Sequence, residues 1–272
     1  MCIRDRSKVN GNLKKVTTKT IRGMKGAEKI AMLTAYDYPM AKLVDNAGCD
    51  MILVGDSLGN VVLGYDDTTR VTMQDMIHHT KAVARGAKRA MIVTDMPFLS
   101  HHLGVYEAVK NAGALISEGG AAAVKIEGGE EICDVVRAIT AAGIPVMGHL
   151  GLTPQSVNQL GGFGLQAKTE EEAEKLIKDA KALEAAGAFA VVLECIPKAL
   201  AQRVTDALNI PTIGIGAGAG CDGQVLVLYD MLGLFSDYVP SFVKKYAELA
   251  GSVNAAVENY VSEVKSGEFP QK

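Results

Sequence analysis

Eight short apolar runs recur along this chain, each separated from the next by a longer segment, and that alternation constrains the fold more than any other feature. The runs are Ile30–Leu33, Met51–Val54, Met91–Val93, Ala122–Val124, Ile144–Met147, Ala190–Leu193, Pro211–Ile215 and Val225–Leu228. They are too short for helices, and they are continuously apolar rather than alternating, as a strand buried on both faces must be. Most of the intervening segments carry helix punctuation. Thr72-Met73-Gln74-Asp75 opens one as a capping box, with Ile77, Thr80, Val83 and Ala84 behind it and Gly86 closing it. Thr169-Glu170-Glu171-Glu172 opens another, followed by Leu176, Ile177, Ala180 and Leu183 and closed by Gly187. Residues 105–116, 131–142 and 198–208 read the same way.

Strands alternating with helices predict a parallel sheet, and eight strands are the number that closes a (β/α)₈ TIM barrel; an open, doubly wound sheet is the rival. The 272 residues fit one such barrel, which takes about 250. Residues 1–28 read as an N-terminal arm and residues 29–272 as one barrel domain with extra C-terminal helices. Only about ten residues separate the seventh run from the eighth, too few for a crossover helix. Two amphipathic stretches follow the last run, at 240–250 and 252–265, and are expected to pack outside the barrel or against a neighbouring subunit.

Composition excludes several function classes. Lysine plus arginine number 28 against 31 acids, a net charge of 28 − 31 = −3, so there is no electrostatic case for nucleic acid or an anionic membrane. The longest stretch without a polar or charged side chain, 185–193, falls far short of the ~20 residues that span a bilayer. Met1–Ser7 carries charge where a signal peptide needs an apolar core. The basic, threonine-containing segment 14–25 has transit-peptide character, but the simpler reading is a cytoplasmic protein whose basic start, up to Lys29, is a solvated arm or a subunit contact. The five cysteines are scattered without a C-x-x-C spacing, which argues against a disulfide framework and a zinc site.

Acids sit directly after four of the apolar runs: Asp56, Asp95, Glu127 and Glu194. In a barrel these positions are C-terminal strand ends, where the active site lies. Taken singly, each acid would cap a helix or meet solvent. Taken together with Lys125 and His149 at other strand ends, they point to a site for a hard cation, Mg²⁺ or Mn²⁺, with at least one acid left for proton transfer. Gly214-Ile215-Gly216-Ala217-Gly218-Ala219 matches a loose dinucleotide pattern. No long helix follows it, so a tight loop that lets a ligand approach the backbone is the better reading. His78-His79 and His101-His102 read as surface or packing residues, and Cys195 as structural.

At these same positions the sequence resembles the ketopantoate hydroxymethyltransferase family. The resemblance is carried by Thr34-Ala35-Tyr36-Asp37-Tyr38, Val54-Gly55-Asp56-Ser57-Leu58-Gly59, Asp95-Met96-Pro97-Phe98 and Val124-Lys125-Ile126-Glu127-Gly128-Gly129. It continues through Gly148-His149-Leu150-Gly151-Leu152-Thr153-Pro154-Gln155-Ser156-Val157, Leu193-Glu194-Cys195-Ile196-Pro197, Ile213-Gly214-Ile215-Gly216-Ala217-Gly218 and Asp222-Gly223-Gln224, in family order. It implies a barrel of the phosphoenolpyruvate/pyruvate type, assembled as a homo-oligomer, often a decamer. It also implies transfer of a hydroxymethyl group from 5,10-methylenetetrahydrofolate to 3-methyl-2-oxobutanoate, giving 2-dehydropantoate for pantothenate and coenzyme A. By motif match, Asp56 and Asp95 would ligate Mg²⁺ or another divalent ion, with Glu127 in the same shell directly or through water. Asp56, Ser57, Asp95, Lys125 and His149 would contact the 2-oxo acid, and Glu194 would accept the proton. Met1–Ser7 departs from the family's usual start and reads as an extraneous extension or a wrong start codon. Two rivals are a lyase or mutase of the same barrel superfamily and a catalytically inactive scaffold; the Gly148–Val157 string argues against the first and the intact acids against the second.

Overall fold

The computed structural model describes residues 14–234 and 239–270. Eight parallel strands close a barrel: β1 (Ile30–Thr34), β2 (Met51–Val54), β3 (Met91–Asp95), β4 (Ala123–Glu127), β5 (Val146–Gly151), β6 (Ala190–Glu194), β7 (Thr212–Ile215) and β8 (Gly223–Leu226). Closure is made by β1 pairing with β8, Ile30 opposite Gly223, which leaves no sheet edge and disposes of the open-sheet alternative. The helices are α1 (Thr18–Met24), α2 (Tyr38–Asn46), α3 (Leu58–Val61), α4 (Met73–Gly86), α5 (Val105–Ser117), α6 (Cys133–Ala141), α7 (Val157–Leu160), α8 (Glu170–Ala185), α9 (Lys198–Ala207), α10 (Leu228–Leu232) and α11 (Leu249–Ser266). Both expected capping boxes form, Thr72 with Asp75 at α4 and Thr169 with Glu172 at α8.

The continuous apolar runs are explained by two cores, one on each face of the sheet. Met32, Met51, Leu53, Met91, Val93, Met147, Ile213 and Val225 point into the barrel and fill it. The alternate residues Ile52, Val54, Ile92, Val124, Val191 and Leu193 point outward against Met76, Val83, Leu115, Ile139 and Leu183 of the surrounding helices. With period-2 side chains and packing on both sides, a polar residue inside a strand needs a buried partner, as Thr94 finds in Thr80 and Thr212 in Thr205.

Four expectations need correction. The described part of the basic segment before β1, residues 14–29, is docked on the barrel rather than a free, solvated arm. Its helix α1 buries Ile21 completely among the barrel-interior residues, while Arg22 donates to the Ala188 carbonyl and Lys25 pairs with Asp222 at 2.9 Å, so residues 16–29 floor the barrel. The strand β5 starts later and runs further than the apolar run suggests. Pro145 has no N–H to give the ladder, although its carbonyl accepts from Val124 N, and the strand continues through His149 to Gly151. The strand β8 lies two residues earlier than the Val225–Leu228 run, because Leu228 already opens α10 and donates its N–H to Thr34 Oγ1. Lastly, residues 240–248 are not helical. Tyr246 N donates to the Met231 carbonyl and Ala250 N to the Gly233 carbonyl, so this stretch spends its donors on the end of α10. The expectations for Met1–Ser7 and Cys2 lie outside the described residues.

Candidate active site

The C-terminal ends of the strands open into a cavity of about 860 Å³, and Asp56, Ser57, Asp95, Lys125, Glu127, His149 and Glu194 all line it. Parallel register places them: each lies in the last residues of its strand, or is the second or third residue beyond one, and a closed barrel gathers these ends into one ring. Asp56 and Ser57 follow β2, Asp95 ends β3, Lys125 and Glu127 lie in β4, His149 lies in β5 and Glu194 ends β6.

The side chains are tied together in sequence around the ring. Asp56 N–H donates to Asp95 Oδ2 at 3.0 Å, and the Lys125 ammonium stands 3.0 Å from Asp95 Oδ1. That contact is an ion pair rather than an aligned hydrogen bond, since Asp95 Oδ1 has no hydrogen-bond donor among the described residues. His149 Nδ1 is 3.1 Å from both Lys125 Nζ and Glu127 Oε1, and its Nε2 is 3.2 Å from Glu194 Oε2. Burial and the Lys125 charge disfavour an imidazolium, but the Glu127 hydrogen bond and the Glu194 contact prevail and push the His149 pKa up to about 9. Its Nδ1–H is therefore directed to Glu127 rather than left to accept from the lysine. The Ser57 hydroxyl is 2.9 Å from the buried Tyr36 hydroxyl, which fixes where it points.

The electrostatics of the ring are unbalanced. Burial, with the nearby charges of Asp95 and Glu127, holds the Asp56 pKa well above the ordinary carboxylate range. Burial raises Asp95 as well, against the opposing pull of Lys125. Lys125 is held above its usual range: burial opposes its charge, but Asp95, Glu127 and Asp56 outweigh it. Glu127 is lowered, since His149, Lys125 and the Gln155 N–H overcome its burial. Four carboxylates thus face two cations, and Asp56 and Asp95 are the two whose ionisation is left undercompensated.

Among the described residues no three acid, histidine or cysteine side chains converge as a ready-made metal cage. The donor set fits an ion that takes one or two carboxylates and completes its shell with water and ligand oxygens, as Mg²⁺ does. Both oxygens of Glu127 are already engaged, Oε1 by His149 and Oε2 by Gln155 N–H, which favours Asp56 and Asp95 as direct ligands and Glu127 as an outer one.

Sequence reasoning passed over three residues here. Gln155 sits inside the quoted Gly148–Val157 string without a role. Its Nε2 donates to Asp56 Oδ2 at 2.7 Å and to the Met96 carbonyl at 2.9 Å. Tyr36, likewise only quoted, orients Ser57. Asp230, on α10 and four residues past the end of β8, lines the same cavity; it was passed over although it stands two residues beyond the Val225–Leu228 run, as Asp56 stands beyond Met51–Val54. Of the histidine pairs, His78 and His102 are exposed. His79 Nδ1 is 2.7 Å from the Tyr36 carbonyl, and buried His101 has Nε2 3.0 Å from the Glu127 carbonyl, with desolvation lowering its pKa to about 4. The cysteine after Glu194 is buried, and burial pushes its thiol up to about 11. The Gly214–Ala219 stretch leads from β7 into the turn before β8 rather than into a helix. At Gly216, with φ +63°, a Cβ would meet Phe242 at 2.9 Å, so the backbone itself forms cavity wall there.

Comparison with known proteins places this geometry in a family. The 3-methyl-2-oxobutanoate hydroxymethyltransferase of Syntrophus aciditrophicus (strain SB) is 61% identical over 260 residues, covering 95% of this chain and 96% of its own. That of Clostridium novyi (strain NT) is 58% identical over 260 residues, covering 96% and 94%. Among solved structures, 2,3-dimethylmalate lyase, a PEP mutase/isocitrate lyase superfamily member, superposes with a TM-score of 0.59 at 18% identity over 92% of this chain and 88% of its own. Phosphonopyruvate hydrolase does so with a TM-score of 0.62 at 14% identity, over 93% and 88%. These two establish the barrel type. The family model described as ketopantoate hydroxymethyltransferase matches residues 15–272. On that match and the near-full-length relatives, the chain belongs to the ketopantoate hydroxymethyltransferase family and is a transferase.

Proposed function

We propose that this enzyme transfers a hydroxymethyl group from 5,10-methylenetetrahydrofolate to 3-methyl-2-oxobutanoate, giving 2-dehydropantoate on the cytoplasmic route to pantothenate and coenzyme A. The observation that carries the reading is the division of the ring. Carboxylates short of positive charge, Asp56 and Asp95, stand with Lys125 on one side, and Glu194 stands apart on β6 beside His149.

The 2-oxo acid is an anion, and Lys125 with the Ser57 hydroxyl offers it a charge and a donor at the strand ends. Asp56 and Asp95 would hold Mg²⁺ or a similar divalent ion, with Glu127 behind them. When bound, that ion supplies positive charge where negative charge grows on the keto oxygen. Glu194 takes the proton from C3 of the substrate, and the electron pair left behind delocalises onto the keto oxygen, facing the Lys125 side. His149, held by Glu127 at Nδ1, stands with Nε2 3.2 Å from Glu194, a charge contact rather than an aligned hydrogen bond. A carbon–carbon bond then forms between C3 and the one-carbon group of the folate. Water supplies the hydroxyl oxygen, and tetrahydrofolate leaves. Positioning both reactants in one cavity replaces a slow encounter in solution.

We further infer a homo-oligomer, a decamer as the family resemblance implies. In its support, α11 buries none of its residues, yet Val253, Val257, Tyr260 and Val264 form one apolar stripe at helical spacing. Among the described residues no helix is long and apolar enough to cross a membrane.

The test is proton NMR of 3-methyl-2-oxobutanoate in D₂O with the protein and Mg²⁺, following the C3 hydrogen. Exchange that requires Mg²⁺, and that falls by about 10²–10⁴ in Glu194→Gln while the fold persists, is the expected result. No exchange from the wild type, even with tetrahydrofolate added to complete the site, would overturn the mechanism.

A further inference from the structure

The acids between β2 and β6 account for the chemistry at the 2-oxo acid, but the cavity is larger than that small substrate requires and holds one more buried acid. Asp230 is only 6% exposed and lines the cavity, its charge close enough to the buried Tyr36 hydroxyl to help raise its pKa. Its Oδ1 is buried and receives no hydrogen bond among the described residues. Burying a carboxylate oxygen without a donor is costly, and native structures rarely do so without cause. Desolvation alone pushes the Asp230 pKa up to about 6, so at neutral pH it is mainly ionised, with Oδ1 lacking a donor among the described residues. Neither proton abstraction nor the charge-deficient pair at Asp56 and Asp95 calls on it.

We propose that Asp230 anchors the one-carbon donor by accepting hydrogen bonds from the N–H edge of its reduced pterin ring. This deepens the folate-dependent reading above and rests on it. The pyrimidine edge of a reduced pterin presents a ring N–H beside an exocyclic amine, two adjacent donors that match the two oxygens of one carboxylate. The surroundings suit the remainder of such a ligand. Val61, Leu226, Pro240 and Phe242 give the same cavity apolar wall, and Phe163 and Leu165, which also line it, are half-exposed. A flat heterocycle anchored there would share the cavity with the 2-oxo acid. The acid would also discriminate against ligands whose matching edge lacks donors, because they would leave the carboxylate both buried and unpaired.

The experiment is a calorimetric titration of tetrahydrofolate into the wild type and Asp230→Asn, with near-ultraviolet circular dichroism to confirm that the variant is folded. The same titration of the wild type with the 2-desamino-2-methyl analogue of tetrahydrofolate reads the contact from the ligand side and needs no variant. Loss of hydrogen bonds to a charged group is expected to weaken binding at least about tenfold in both arms. Equal affinity of the wild type for tetrahydrofolate and the 2-desamino analogue overturns the proposal, and so does an Asp230→Asn protein that binds tetrahydrofolate as the wild type does. A wild type that does not bind tetrahydrofolate also overturns it. Mg²⁺-dependent exchange of the C3 hydrogen without folate reads the proton-abstraction half-reaction separately, so the failure of the donor site and of the reaction are distinguishable.

Discussion

The side-chain amide of Gln155 donates to Asp56 Oδ2 at 2.7 Å, tying the loop after β5 to the end of β2 across the mouth of the barrel. The same amide donates to the Met96 carbonyl, and the Gln155 backbone N–H holds Glu127 Oε2, so one residue orients two of the three acids assigned to the metal shell. Gln155→Leu removes the amide while keeping the backbone bond. It is expected to weaken Mg²⁺ binding about 10–100-fold, as removal of an outer-shell partner does, and isothermal titration with Mg²⁺ checks this. An unchanged dissociation constant would show that Asp56 is positioned by other means.

Gly151 carries a second positional constraint. Its φ is +93°, and a Cβ there would come within 2.2 Å of the Glu194 carbonyl and 2.8 Å of Ile196. Gly151→Ala must therefore push the end of β6, and with it the proposed base. A displacement of this kind is expected to lower C3 hydrogen exchange about a hundredfold. Mg²⁺ affinity, set on β2 and β3, should change little. If exchange stays at the wild-type rate, the placement of Glu194 does not depend on this contact.

Asp230 gives a pH dependence of stability with a definite sign. Desolvation raises its folded pKa from 3.8 to about 6, so folding takes up a proton between those values. Its contribution is fully present below about pH 4 and is lost as pH rises through about 6. Asp230→Asn should therefore gain stability relative to the wild type as pH rises from 4 to 7, by on the order of 2 kcal/mol. Urea denaturation of both proteins across that range measures it. A constant difference between them would mean that Asp230 titrates alike in the folded and unfolded chain.

Ile21 tests the floor of the barrel. It is fully buried against the barrel interior, so Ile21→Ala should cost about 2–5 kcal/mol in chemical denaturation. It lies at the opposite end of the strands from the carboxylates, and Mg²⁺ affinity should be untouched. A loss below about 0.5 kcal/mol, the size of a surface substitution, would return the segment to the status of a peripheral arm.

What the sequence determined by itself follows from local rules. Apolar runs such as Met51–Val54 are continuous because both faces of each strand are buried, and eight of them with helical spacers specify a parallel barrel. Thr72 and Thr169 announced their helices because a cap is chemistry between neighbours in the chain. Asp56, Asp95, Lys125, Glu127, His149 and Glu194 were legible because a strand end in a barrel is a fixed place, and the family motifs fell on the same residues. What only the tertiary structure decided depends on contacts between distant parts of the chain. Gln155 reaches Asp56 across 99 positions of sequence, which no local spacing reveals. The basic start of the chain reads as solvated until Ile21 is seen inside the barrel, because charged side chains can pair at its rim while one apolar residue fills its floor. The register of β8 was set by Ile30 and Thr34, partners from the opposite end of the chain. That register placed Asp230 at the cavity, where burial leaves its Oδ1 without a donor among the described residues.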